Sequence, residues 1–192
     1  MSSLDRRNFL SRGALVAAGA AATSLGSLAN QVVAAEDASS PEARVRRLGI
    51  KLRTPTQPTA PFALAVRVDN MLYLSGHGPR KPDGRSFVEG QVGKVLTVEE
   101  AKAAARLTAI DMLSSMRAEL GSLDRVVRLV KTTGMVNSGA GFKEHPQVIN
   151  GFSELMINVF GPKMGKGARS AVGMSGLPFD IAVEIEAIFQ VR

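Results

Sequence analysis

Nine residues near the C-terminus constrain this chain more than any other stretch. Val183, Ile185, Ala187, Phe189 and Val191 alternate with Glu184, Glu186 and Ile188. Successive side chains of a strand point to opposite faces, so this spacing predicts a strand with one buried face and one face carrying two carboxylates. Such a strand needs a cover. Val148, Ile149, Phe152, Leu155, Met156, Val159 and Phe160 recur at the helical period and supply one. That helix is expected to start near Pro146 and to end at Gly161-Pro162. A second helix is announced by Thr97-Val98-Glu99-Glu100, a capping box with Thr as N-cap and Glu three residues on. Its small apolar stripe (Ala101, Ala105, Thr108, Ala109, Met112, Met116) suits close packing on a sheet, and Gly121 stops it.

The remaining runs read as strands. Phe62 to Val68 and Met71 to Leu74 flank Asp69-Asn70, a hairpin signal. Val126 to Val136 is rich in β-branched residues. Ala168 to Met174 and Ile181 to Val191 are the last two strands, joined through Leu177-Pro178-Phe179-Asp180. This order predicts an α+β fold with two helices on one face of a sheet.

Residues 1–35 read as an address rather than as fold. Arg6-Arg7 precedes the apolar run Gly13 to Ala22, and Val33-Ala34-Ala35 offers small residues for a signal peptidase. The arginine pair points to twin-arginine export and a periplasmic or secreted product without a membrane anchor. The whole chain carries a net charge of +7; residues 1–35 hold Arg6, Arg7 and Arg12 against Asp5, so +5 remains without them. Residues 36–61 are expected to form a short helix opened by Ser40-Pro41 and stopped by Gly49, followed by a proline-rich leader. The main domain then spans 62–192.

The absence of cysteine excludes thiolate metal sites, disulfides and cysteine nucleophiles. No zinc-ligand spacing, P-loop or Ser-His-Asp order stands out. His77 follows Ser75-Gly76 at a strand end, where site residues and plain turn residues are both common. Arg169 stands alone in the small, apolar run Gly167 to Val172. If the last two strands form a hairpin, Arg169 and Glu184 come close to each other. They then make either a salt bridge or an anion clamp beside a general acid/base.

Colinear segments resemble the RidA/YjgF family, as a divergent branch with a twin-arginine signal. They are Asn70 to Gly76, Gly121 to Val127, Val148-Ile149-Asn150, Ala168 to Val172, Leu177-Pro178 and Val183 to Ile188. The resemblance implies a chorismate-mutase-like unit with a mixed sheet, assembled as a homotrimer with clefts between subunits. It implies hydrolysis of reactive enamines and imines to 2-oxo acids and ammonia, without metal or organic cofactor; no nucleic-acid partner is expected, because the aromatics sit mostly at core spacings and form no stacking platform. It implies that Arg169 holds a substrate carboxylate and that Glu184 handles water and protons. Ser75, Gly76, His77, Asn150 and Phe62 fall at substrate-binding positions. Three residues depart from the family pattern: Phe62 replaces a tyrosine, Ala171 a cysteine and His77 a glutamine. Two further readings stand beside the deaminase: a non-catalytic trimer that binds small carboxylates, and an endoribonuclease-type activity, for which the cluster Arg44, Arg46, Arg47, Lys51 and Arg53 is the best support.

Overall fold

The alternating strand and both amphipathic helices meet as their periods require. The computed structural model describes residues 39–192, of which Pro41–Arg192 form one compact unit. The export signal read at residues 1–35 lies outside the described residues. No helix among the described residues is long and apolar enough to cross a membrane.

Helix α1, Pro41–Arg47, ends at Gly49, whose φ of 66° favours glycine. It belongs to the compact unit rather than trailing from it. Val45 is buried, and the Glu42 carboxylate accepts hydrogen bonds from Arg117 and from the Leu123 amide. Residues 54–61 carry no regular secondary structure. Strands β1 (Ala65–Val68) and β2 (Met71–His77) make the expected hairpin, with Asp69 turning at φ 51°.

Helix α2 (Val98–Leu120) has the full capping box at Thr97 and Glu100, and Gly121 terminates it in the left-handed region. A single 3₁₀ turn, Leu123–Arg125, leads into β3 (Val126–Asn137). Helix α3 (His145–Phe160) and the short α4 (Pro162–Gly165) precede β4 (Ala168–Met174). A second 3₁₀ turn, Pro178–Asp180, leads to β5 (Val183–Val191).

Every residue of the two predicted apolar stripes is buried, from Ala101 to Met116 on α2 and from Val148 to Phe160 on α3. Burying side chains the size of Phe152, Phe160 or Met112 contributes about 1.5–3 kcal/mol each. The two helices approach closely because Gly151 has no side chain: a Cβ there would sit 1.9 Å from the Lys102 carbonyl oxygen.

The sheet order is β1-β2-β5-β3-β4, antiparallel except for the β3/β4 pair. This corrects the hairpin expected between the last two strands. A parallel pair needs a long crossover, and α3 supplies it between β3 and β4. After β4 the chain turns over the end of β3 instead of folding back on β4. Asn137 of β3 fastens that passage: its side-chain amide donates to Asp180 at 2.8 Å and its backbone amide to the Ala182 carbonyl. Strand β5 therefore enters the sheet between β2 and β3. The sheet face away from the helices remains exposed at Val66, Tyr73 and Val172.

Candidate functional site

The interposed strand separates the two residues expected to share a site. Arg169 is in register with Thr132 of β3, and Glu184 with Met135. Two strand spacings and three residues along the strand put their Cα atoms on the order of 14 Å apart. The odd offset also sends them to opposite faces. Thr132 is buried beneath the helices, and Arg169 shares its side. Glu184 lies between the buried Val183 and Ile185, so it points to the open face. Within one chain, Arg169 and Glu184 thus form neither the salt bridge nor the single clamp that a hairpin would give.

Each residue instead anchors its own group. On the helix side, Arg169 Nη1 donates to Asn150 Oδ1 at 2.9 Å and to Ser153 Oγ at 3.0 Å. Asn150 and Ser153 are three residues apart on α3 and so present to the same side. The other edge of the guanidinium, Nε and Nη2, has no partner among the described residues. It is exposed at the sheet edge, a preoriented fork of the kind that binds a carboxylate bidentately. Asn150, expected to touch substrate, is placed here as the residue that aims the arginine. Ser153 was not singled out from the sequence, although its spacing from Asn150 is the signal that would have found it.

The second group lies on the open face. The β2–β5 register shifts between Leu74 and His77, leaving Ser75 and Gly76 as a bulge. The Glu184 carboxylate rests on that bulge: a Cβ on Gly76 would lie 1.8 Å from Glu184 Oε1. Only glycine permits so close an approach. Glu184 is half-buried and has no hydrogen bond or ion pair among the described residues. Its proton affinity is raised by burial and then by the like charge of Glu186 two residues along the same face. A carboxylate without a partner and with raised proton affinity suits general acid/base work.

Ser75 is tied twice to the chain leading into β1. Its amide donates to the Leu64 carbonyl and its hydroxyl to the Ala63 carbonyl. With that proton committed, the hydroxyl offers a ligand its lone pairs only. Phe62, immediately before Ala63, is 52% exposed and brings a ring without a hydroxyl. A recess of about 290 Å³ opens beside Ser75, lined also by Tyr73, Lys131, Thr133 and Glu186.

His77 does not join either group. It is 3% exposed and turns toward α2. Its Nδ1 meets the Ser75 carbonyl at 2.7 Å and its Nε2 meets Ser115 Oγ at 2.9 Å. Burial lowers its proton affinity, opposed by the Ser75 hydrogen bond and by Asp111. The bulge shifts the strand's parity and so puts His77 on the helix side of the sheet, with Leu72 and Leu74, rather than on the open side with Tyr73 and Ser75. Among the described residues, no three His, Asp or Glu side chains converge as a metal centre would require.

The sequence profile of the family described as endoribonuclease L-PSP matches residues 53–191. The chain belongs to this family, which is also the YjgF/RidA family. Protein TCP17 of Trypanosoma cruzi is 43% identical over 150 residues, covering 78% of this chain and 93% of that protein. The crystal structure of Atu1372 from Agrobacterium tumefaciens, a protein of unknown function, superposes with a TM-score of 0.72 at 37% identity, covering 79% of this chain and 92% of that one. RidA from the Antarctic bacterium Psychrobacter sp. superposes at 0.52 with 25% identity, covering 74% and 98%. The L-PSP fold, a five-stranded sheet with helices on one face, is thereby established for this chain.

Proposed function

We propose that this L-PSP/RidA protein hydrolyses reactive enamines and imines of 2-oxo acids, releasing ammonia, in clefts closed by a second copy of the chain in a homotrimer. One copy supplies Arg169, aimed by Asn150 and Ser153. Its neighbour supplies Glu184 on the Ser75–Gly76 bulge, with Phe62 at the rim. The observation that carries this reading is the division of the site. A carboxylate-binding fork with one edge free and a carboxylate without a partner lie on opposite faces of one sheet. Each lacks what the other offers. The exposed sheet face with Val66 and Tyr73 is a surface that a neighbouring copy would cover.

The chemistry follows from the groups present. Arg169 holds the substrate carboxylate and so fixes the adjacent C=N carbon. For an enamine, a proton first moves from nitrogen to the terminal carbon, giving the imine. Water then adds to the imine carbon. The new C–O bond forms as the C=N π bond breaks, and Glu184 takes the water's proton. That proton passes to nitrogen; the proton of the new hydroxyl then follows it as the C–N bond breaks, so that ammonia leaves and the carbonyl forms. No electron acceptor is needed, because hydrolysis leaves the oxidation state unchanged. The twin-arginine segment makes this an exported activity within the proposal.

The test is ammonia release from freshly generated 2-imino acids by wild type, Arg169→Ala and Glu184→Ala. Rates above buffer in wild type and at buffer level in both variants support the reading. Equal rates in all three and in buffer overturn it. Carboxylate binding lost in Arg169→Ala, without turnover in wild type, would assign a binding role instead. RNA cleavage that persists through purification and is lost in Arg169→Ala would assign the activity in the family's description.

A further inference from the structure

We propose that His77 is a positioning residue: it suspends the Ser75–Gly76 bulge from helix α2 and thereby sets where the Glu184 carboxylate sits. The role of Glu184 rests on the proposed function above; the placement itself does not.

Geometry and burial together select one arrangement of the imidazole. A carbonyl oxygen only accepts, so Nδ1 must carry the proton that bonds the Ser75 carbonyl at 2.7 Å. In the neutral ring Nε2 is then a bare lone pair, and at 2.9 Å it is a nearer acceptor for the Ser115 hydroxyl proton than the Asp111 carbonyl at 3.4 Å. Both nitrogens are committed, one to the bulge and one to α2. Burial disfavours a charged ring, so the neutral tautomer prevails at neutral pH. The charged groups around the ring are Asp111 of α2, which favours protonation, and Arg80, which opposes it.

The bulge hangs between two supports. On one side His77 ties it to α2, a helix fixed at both ends by its capping box and Gly121. On the other, the Ser75 amide and hydroxyl tie it to Leu64 and Ala63. Gly76 lies between these supports, and Glu184 lies on Gly76 with no room for a methyl group. A shift of the bulge therefore moves the surface under the carboxylate directly. The other titratable groups on that face are Glu186 of β5, Lys131 and the more distant Arg128 of β3, and Tyr73 of β2. Neither Lys131 nor Tyr73 forms an ion pair or hydrogen bond with Glu184; Lys131 donates instead to Ser170.

The experiment is a carbon-13 titration of glutamate side-chain carboxyls in the full chain, with the Glu184 signal assigned by Glu184→Gln. It compares wild type with His77→Gln, His77→Ala and Ser115→Ala. Glutamine keeps one donor and one acceptor on a planar group, so His77→Gln is expected to titrate as wild type does. His77→Ala and Ser115→Ala release the bulge, admit water to the carboxylate, and move the Glu184 midpoint down toward the ordinary glutamate value. Ser115→Ala alters a single hydroxyl on an otherwise intact helix, so it gives the answer even if His77→Ala fails to fold. A Glu184 midpoint unchanged in Ser115→Ala overturns the proposal, as does a His77→Gln midpoint displaced as far as that of a folded His77→Ala. Absence of ammonia release by wild type would overturn the deaminase reading and leave this titration unaffected.

Discussion

Replacing Gly76 by alanine separates the folding of this chain from its chemistry. The added Cβ would lie 1.8 Å from Glu184 Oε1, where ordinary contacts begin at 3.4 Å, so the carboxylate must retreat by about 1.6 Å. The next atoms met, Glu184 Cδ at 2.8 Å and Cγ at 3.0 Å, belong to the same flexible side chain. Gly76 has no positive φ, so alanine fits its backbone without strain. The fold should lose little, within about 1 kcal/mol by urea or thermal unfolding. The chemistry should lose far more. A misplacement of ~1 Å in a reacting group costs roughly 100-fold, so kcat/KM for ammonia release is expected to fall about 100-fold or further. That loss corresponds to about 2.7 kcal/mol of transition-state stabilisation. The assay generates the imino acid in place with an amino-acid oxidase and follows ammonia, with Glu184→Ala as the floor. A Gly76→Ala protein that folds normally and keeps near wild-type turnover would refute the idea that Glu184 acts from its seat on the bulge.

Four other outcomes follow from the same geometry. Arg169→Lys keeps the charge but loses the planar fork, and one lost charge-assisted hydrogen bond of about 1.5–3 kcal/mol predicts a roughly 10- to 150-fold fall in kcat/KM for carboxylate-bearing substrates. Glu186→Gln removes the like charge beside Glu184, so the acid limb of the pH–rate profile should move to lower pH; an unmoved limb would dissociate Glu184 from catalysis. The folded chain holds the Glu184 proton more tightly than the unfolded chain does. Stability therefore declines as pH rises from the ordinary glutamate value through the raised folded value, and Glu186→Gln should flatten that decline in pH-dependent unfolding. Gly151→Ala drives a methyl group against the Lys102 carbonyl between α2 and α3 and should destabilise the unit by about 1–3 kcal/mol in urea titration; an unchanged midpoint would mean that the helix pair can separate without cost.

The elements were legible because each carries a local signal. The capping box at Thr97, the stop at Gly121, the stripe from Val148 to Phe160 and the alternation from Val183 to Val191 depend on short-range periodicity alone. The order of the strands depends on where a turn sends the chain, and Leu177 to Asp180 holds no signal for passing over β3. The contact that fastens the passage joins Asn137 to Asp180, forty-three residues apart. The misjudged neighbourhood of Arg169 and Glu184 follows from that one crossing. The burial of His77 beneath α2 was not legible for a related reason: the bulge at Ser75 and Gly76 shifts the strand's parity, and a bulge is invisible to a count of two. From sequence alone helix α1 reads as lying outside the main domain, because its anchor, Glu42 on Arg117, is a long-range pair.

The opposite facing of Arg169 and Glu184 has a genetic consequence. If each cleft draws its arginine from one copy and its carboxylate from the next, a lesion in either half spoils a different side of the same junction. Two dead alleles, Arg169→Ala and Glu184→Ala, expressed together would then assemble some junctions in which both contributed halves are wild type. With random mixing about a quarter of junctions are of this kind. Activity would reappear from two inactive genes in one cell, and it would not reappear if the two lesions were placed on a single chain.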